Sequence, residues 1–180
     1  MRFQKLWVTL VAVAVAGMLA SPSQAQVNSN NAGVALNATL AESLTVSAGP
    51  VTVTFALVPS GPAAGNLPVS ITTTWQLDSA RTSVSLYAYF SSGNALTDGG
   101  GNNIPTTAVT GSVNGGAASD FTAATPFGAN GKTVFTQAVG AGTYSGTSGP
   151  DTIDLSIDTT GLGLPSGTYT GTLNIQAQAI

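Results

Sequence analysis

Two-residue alternation at the C-terminal end constrains this chain more than any other feature. In residues 166–180 (SGTYTGTLNIQAQAI), the odd positions from Tyr169 onward carry apolar side chains or glycine, and the even positions from Thr168 to Gln178 carry threonine, asparagine or glutamine. A β-strand points successive side chains to opposite faces, so the pattern predicts a strand with one apolar and one polar face. Such a strand must pair with others, because its backbone groups need hydrogen-bond partners.

The same alternation recurs along the chain between breaks rich in glycine, proline and serine. The first such stretch, over 34–46, is either one broken strand or two strands with a bulge. Further strands are predicted over 51–58, 67–77, 83–90, 107–113, 133–139 and 153–158. Strands 67–77 and 83–90 are interpreted as a hairpin with Trp75 near its middle. Helical periodicity is absent, so we expect an all-β fold, an antiparallel β-sandwich of about eight or nine strands.

The N-terminal residues have the features of an export signal. Arg2 and Lys5 precede an apolar run over 6–20, and a small-x-small sequence ends at Ala25. A retained membrane anchor is the alternative, but the run is shorter than the roughly 20 residues of a spanning helix. We therefore predict a signal peptide over 1–25, a flexible segment over 26–33 and one β-sandwich domain over 34–180, in a protein that is secreted, periplasmic or at the cell surface.

Composition excludes several function classes. Cysteine and histidine are absent, which removes disulfides, thiolate metal sites and the His-based catalytic triads. Without residues 1–25 only two of the four basic residues remain beside all seven acidic ones, a formal net charge of −5. That charge argues against nucleic acid as a partner. We expect no membrane span after signal cleavage, no cofactor and no enzymatic activity.

Two acidic stretches are candidate sites. Residues 98–103 (DGGGNN) offer oxygen ligands on a flexible loop, which suits calcium, but one carboxylate without EF-hand spacing favours a glycine-rich turn. Asp151, Asp154 and Asp158 are close in sequence, as paired catalytic carboxylates are. Their placement at the start and on the outer face of a strand instead favours a role in solubility. We predict neither a metal site nor a catalytic site.

Three aromatic residues could form a platform for stacking sugars. Trp75 shares parity with Val69, Ile71 and Leu77, so it is predicted to be core. Tyr87 and Tyr89 lie on the face opposite Leu86, where they could contact a glycan or a neighbouring subunit. Cross-strand packing within the sheet is the alternative for both tyrosines.

The terminal stretch also carries a family resemblance. Residues 165–173 (PSGTYTGTL) resemble the last strand of secreted bacterial β-sandwich subunits of the spore coat protein U and fimbrial-subunit type. The resemblance implies an Ig-like sandwich in a surface coat or filament. This chain departs from the pattern in two ways: it lacks cysteines, and Ala179 stands where fimbrial subunits usually have an aromatic residue.

The leading hypothesis is therefore a structural subunit that assembles with copies of itself or other surface subunits through β-strand edges. The predicted strand donor is the alternating segment Val34, Leu36, Ala38 and Leu40; pairing of this segment within its own domain is the alternative. The second hypothesis is a non-catalytic module that binds extracellular glycan or a surface partner through Tyr87, Tyr89 and the loop 91–105.

Overall fold

A computed structural model describes residues 32–121 and 131–180. The predicted signal peptide over 1–25 lies outside the described residues. The strands belong to one compact unit, Thr39–Ile180, and residues 32–38 belong to a separate unit. Residues 32–38 form no strand, and Val34 and Leu36 are 82% and 91% exposed.

The described regular structure is β-strand except for one turn of 3-10 helix, Thr106–Ala108. All strand pairs are antiparallel, which confirms the predicted all-β class. The strands are β1 Ser43–Gly49, β2 Pro62–Ala64, β3 Val69–Gln76, β4 Ser83–Tyr89, β5 Asn94–Thr97, β6 Asn103–Pro105, β7 Val109–Val113, β8 Ser119–Asp120, β9 Lys132–Ala138, β10 Ser145–Asp158 and β11 Asn174–Ala179.

These strands form two main sheets and a short hairpin. The larger sheet has the order β1-β3-β10-β7-β8, with β2 also paired to β10. The smaller sheet has the order β11-β4-β9, and β5 pairs with β6. Inner side chains of both main sheets share one core cluster, in which Ile71, Leu86 and Ile153 are fully buried. This arrangement is consistent with a β-sandwich.

Aromatic side chains fill two parts of the interior. Trp75 is buried with Leu77 and Val84, as its parity predicted, and its indole N–H donates to the carbonyl oxygen of Thr143 at 3.2 Å. Phe121 is buried against Phe90 in an edge-to-face contact with ring centroids 5.3 Å apart. Both contacts join residues that are distant in sequence, which stabilises the tertiary arrangement.

Five expectations about the strands were wrong. Residues 51–58 form no strand, and Phe55 makes only an isolated antiparallel bridge with Gly65. The C-terminal strand begins at Asn174 rather than near residue 166. Strands β3 and β4 do not form a hairpin, because each pairs within a different main sheet and the turn after Leu77 crosses between the sheets. The strand expected over 34–46 begins only at Ser43. Strand β10 begins at Ser145, well before the expected 153. The sequence did not predict its first half, SGTSGPDT, because that stretch lacks apolar alternation.

Candidate functional site

The edges of the two main sheets face each other along one side of the fold. Strand β1 is the edge of the larger sheet, and residues 51–57 continue along that edge after Gly49. Strand β11 is the edge of the smaller sheet, and residues 167–173 lead into it. The two edges lie close together where β1 meets β11. Beyond that point, between 51–57 and 167–173, they are separated by a groove.

The groove has a volume of about 860 Å³. Side chains on its floor belong to the hydrophobic core, and none of the described residues that line it is an aspartate, glutamate, lysine or arginine. Val53, Phe55 and Leu57 on one wall and Tyr169 and Leu173 on the other are only partly buried. The groove therefore exposes one flank of the core between two extended segments, which suits an uncharged, apolar occupant.

The backbone of both walls has hydrogen-bonding groups directed into the groove. On one wall, Thr54 uses its N–H and C=O on the far side, where they bond the side chain and backbone of Asn66 at 2.9 and 3.0 Å. Backbone groups of successive residues in an extended chain point to opposite sides, so those of Val53 and Phe55 point into the groove. Neither residue has a backbone hydrogen bond to another described residue.

The second wall has the same arrangement. Thr170 exchanges two backbone hydrogen bonds with Thr97 of β5, both of 2.9 Å, on the side away from the groove. The N–H and C=O groups of Tyr169 and Gly171 therefore point into the groove, and neither bonds another described residue through its backbone. Among the described residues, both walls therefore present unpaired backbone groups toward the groove, and such groups can pair with an added strand.

Close packing fixes the position of the second wall. A Cβ atom at Gly171 would collide with the carbonyl oxygen of Ala95 and lie 2.9 Å from its carbonyl carbon. The segment can lie this close to β5 only because residue 171 has no side chain. The hydroxyl of Tyr169 also donates to the carbonyl oxygen of Pro165 at 3.0 Å. The stretch 165–173, which carries the family resemblance, thus forms this wall of the groove.

An ion pair anchors the chain immediately before β1. The Glu42 carboxylate accepts hydrogen bonds from the guanidinium of Arg81, at 3.1 Å on each oxygen, and from the backbone N–H of Asp78 at 2.8 Å. The bond from Arg81 is the main reason that the pKa of Glu42 falls to about 2. Leu40, two residues earlier, is 79% exposed.

The tyrosines proposed as a surface contact lie within the smaller sheet. Tyr87 and Tyr89 are both half-buried on β4, and Tyr87 is opposite Gln176 of β11. The hydroxyl of Tyr89 donates to the side-chain oxygen of Gln176 at 3.3 Å. These contacts favour cross-strand packing of the tyrosines.

The two acidic stretches differ in burial and in hydrogen bonding. Asp98 accepts from the backbone N–H groups of Gly100 and Asn102 and from the side chain of Asn102, whose bond is the main cause that lowers the pKa of Asp98. Asp154 and Asp158 are exposed, as expected for the outer face of a strand. Asp151 is instead buried at 8% exposure, so its grouping with the two exposed carboxylates was wrong.

Comparisons with protein-family models, curated proteins and solved structures find no match to this chain. Within residues 32–121 and 131–180, no helix has the length and apolarity needed to cross a membrane. The same part of the chain contains no cluster of three or more acidic side chains that could hold a metal ion. The groove between the sheet edges, with its apolar lining and its backbone hydrogen-bonding groups, is therefore the candidate functional site.

Proposed function

We propose that this protein is a structural subunit of a secreted or cell-surface assembly, of the coat, fimbria or filament type, in which copies join through β-strand edges. The single observation that carries the proposal is the groove, whose two walls present unpaired backbone groups above an exposed flank of the core. An inserted strand would pair its backbone with the backbone groups of the walls, and its alternate side chains would cover the exposed part of the core.

The occupant we propose is the segment 34–40 of a second copy. Val34, Leu36, Ala38 and Leu40 alternate with small or polar residues, and the three larger side chains are 79–91% exposed. The segment has seven residues, as do the wall segments 51–57 and 167–173, and each spans about 23 Å when extended. Burial of each valine or leucine side chain in the groove would contribute roughly 1.5–3 kcal/mol.

Two further features support this assignment. The stretch that resembles the spore coat protein U and fimbrial-subunit type forms one groove wall, and an Ig-like sandwich with one strand position open would account for it. Glu42 fixes the chain at the start of β1, whereas the groove begins after the end of β1 at Gly49. Donor and acceptor are thus at opposite ends of one strand, so insertion would link copies head to tail, and the copies would form an open chain if the rotation between them does not close a ring.

Removal of the donor tests the proposal. A chain that lacks residues 26–40 should fold to the wild-type circular dichroism spectrum and remain monomeric by light scattering. It should also bind a synthetic peptide of residues 32–41. A matched control peptide in which Leu36 and Leu40 exchange places with Asn37 and Thr39 should not bind, because its apolar side chains would face both sides of the strand.

The opposite result would arise if the segment pairs within its own domain. In that case the shortened chain would unfold, because the deletion would remove a strand from its own sheet. A folded, shortened chain that still assembles, or that binds both peptides equally, would also contradict the proposal.

A further inference from the structure

An Asn-Gly turn is held against a buried carboxylate at one corner of the larger sheet. Asn114 and Gly115 connect β7 to β8 with φ values of 49° and 71°, and Gly116 N–H donates to the carbonyl oxygen of Val113 at 2.8 Å. Asn114 is the one residue other than glycine with positive φ among those the structure describes. The geometry is that of a tight turn with two left-handed residues.

Both polar atoms of the Asn114 side-chain amide are hydrogen-bonded to β10. The backbone N–H of Thr152 donates to Asn114 Oδ1 at 2.7 Å, and Asn114 Nδ2 donates to Asp151 Oδ1 at 3.0 Å. The amide orientation is unambiguous, since Thr152 N–H can only donate and the carboxylate accepts. Ser148 donates to the other oxygen of Asp151 at 2.8 Å. The corner thus joins the β7–β8 turn to β10 through one amide.

We propose that Asn114 is a deamidation site that the folded structure protects from reaction. We also propose that the carboxylate of Asp151 prevents the corner from re-forming once Asn114 has been deamidated. In the reaction, hydroxide removes the proton of Gly115 N–H and this nitrogen attacks Cγ of Asn114. A carbon–nitrogen bond forms, the Cγ–Nδ2 bond breaks, and ammonia leaves a cyclic imide. Water then opens the imide to aspartate or isoaspartate, so the net change consumes one water and releases one ammonia.

The folded corner opposes this reaction through its geometry. Attack requires Gly115 N to approach Cγ of Asn114, whereas the left-handed turn and the two side-chain bonds hold the amide toward Thr152 and Asp151. Reaction therefore requires local opening. The product carboxylate would replace the Nδ2 donor and stand against the carboxylate of Asp151, where two like charges repel in a partly buried site. Loss of ammonia makes the deamidation itself irreversible, and the repulsion from Asp151 then opposes re-closure of the corner.

The first test follows the wild-type chain in mildly alkaline buffer by peptide mass spectrometry. In urea, Asn114 and Asn130, which precedes the chain's other Asn-Gly bond, should deamidate at similar rates. In the folded protein, conversion of Asn114 should be at least about tenfold slower than in urea, because only the opened corner reacts. Equal deamidation rates of Asn114 in the folded and the unfolded protein would contradict the proposed protection of Asn114 by the folded corner.

The second test separates charge repulsion from loss of the amide. Asn114→Asp should lower the melting temperature, and the swapped pair Asn114→Asp with Asp151→Asn should recover most of that loss, since the amide then donates in the reverse direction. An Asn114→Asp chain that melts with the wild type would overturn the role of Asp151. A swapped pair that is no more stable than Asn114→Asp would overturn it as well.

Discussion

Substitution of Gly171 by alanine should displace one wall of the groove. The added Cβ would collide with the carbonyl oxygen of Ala95, a backbone atom that cannot rotate away as a side chain would. The segment around Gly171 must then move off β5. Movement would break the two backbone hydrogen bonds of 2.9 Å between Thr170 and Thr97, which hold this wall in place.

The magnitude follows from these two effects. Loss of two backbone hydrogen bonds costs about 0.5–1.5 kcal/mol each. Overpacking against a fixed backbone costs about 1–3 kcal/mol. The free energy of unfolding should therefore fall by about 2–6 kcal/mol. For a chain of this size, the central value of about 4 kcal/mol lowers the melting temperature by about 8–16 °C.

Urea unfolding of the chain from Gln26 onward measures the effect, since Trp75 is then the single tryptophan and reports on the core by fluorescence. Gly167→Ala is the matched control, because a Cβ at Gly167 would meet no atom within 4 Å. The control should stay within about 0.5 kcal/mol of wild type. Equal effects of the two substitutions, or an unchanged Gly171→Ala chain, would refute the close approach of this wall to β5.

Two further predictions concern the ion pair before β1 and the packing of the buried tryptophan. The pKa of Glu42 is lowered to about 2, chiefly by its hydrogen bond from Arg81, so its stabilising effect is complete above the ordinary pKa of 4.5 and disappears as the pH falls toward 2. In the Glu42→Gln chain, the melting temperature should therefore fall less than in the wild type as the pH is lowered through that interval. An equal fall in both chains would contradict the stabilising role of the ion pair. Gly146→Ala would place a Cβ 2.5 Å from Trp75 Cζ2 and should cost about 1–3 kcal/mol with a shifted tryptophan emission. Gly140→Ala, whose Cβ would meet nothing within 4 Å, should leave both unchanged.

The faces of the strands could be predicted from the sequence because alternation reports side-chain direction directly. Ile71, Trp75 and Leu86 are buried as their parity indicates, while Tyr87 and Tyr89 point to the half-buried opposite face. Each of these assignments depends only on local geometry. The antiparallel class also followed, since strands with one polar face are typical of sheets that have one side in water.

Strand partners could not be predicted in the same way. The short turn between Leu77 and Ser83 favours a hairpin, yet β3 and β4 each bury an inner face and belong to opposite sheets. A turn that connects two sheets and a turn that connects two neighbouring strands leave the same alternation on either side. The first half of β10 is the converse case, because Thr147 and Gly146 pair fully with β3 although the stretch has no apolar period.

The groove could not be predicted from the sequence, for a more general reason. Alternation gives the direction of side chains, whereas an unpaired edge concerns backbone groups, which lie perpendicular to the side chains in the plane of the sheet. Residues 51–57 and 167–173 therefore have the same pattern as paired strands, although each has a free edge. Segment 34–40 has this pattern too, although it forms no strand with other described residues and Leu36 is 91% exposed. The proposed insertion would give all three segments the pairing that their alternation predicts.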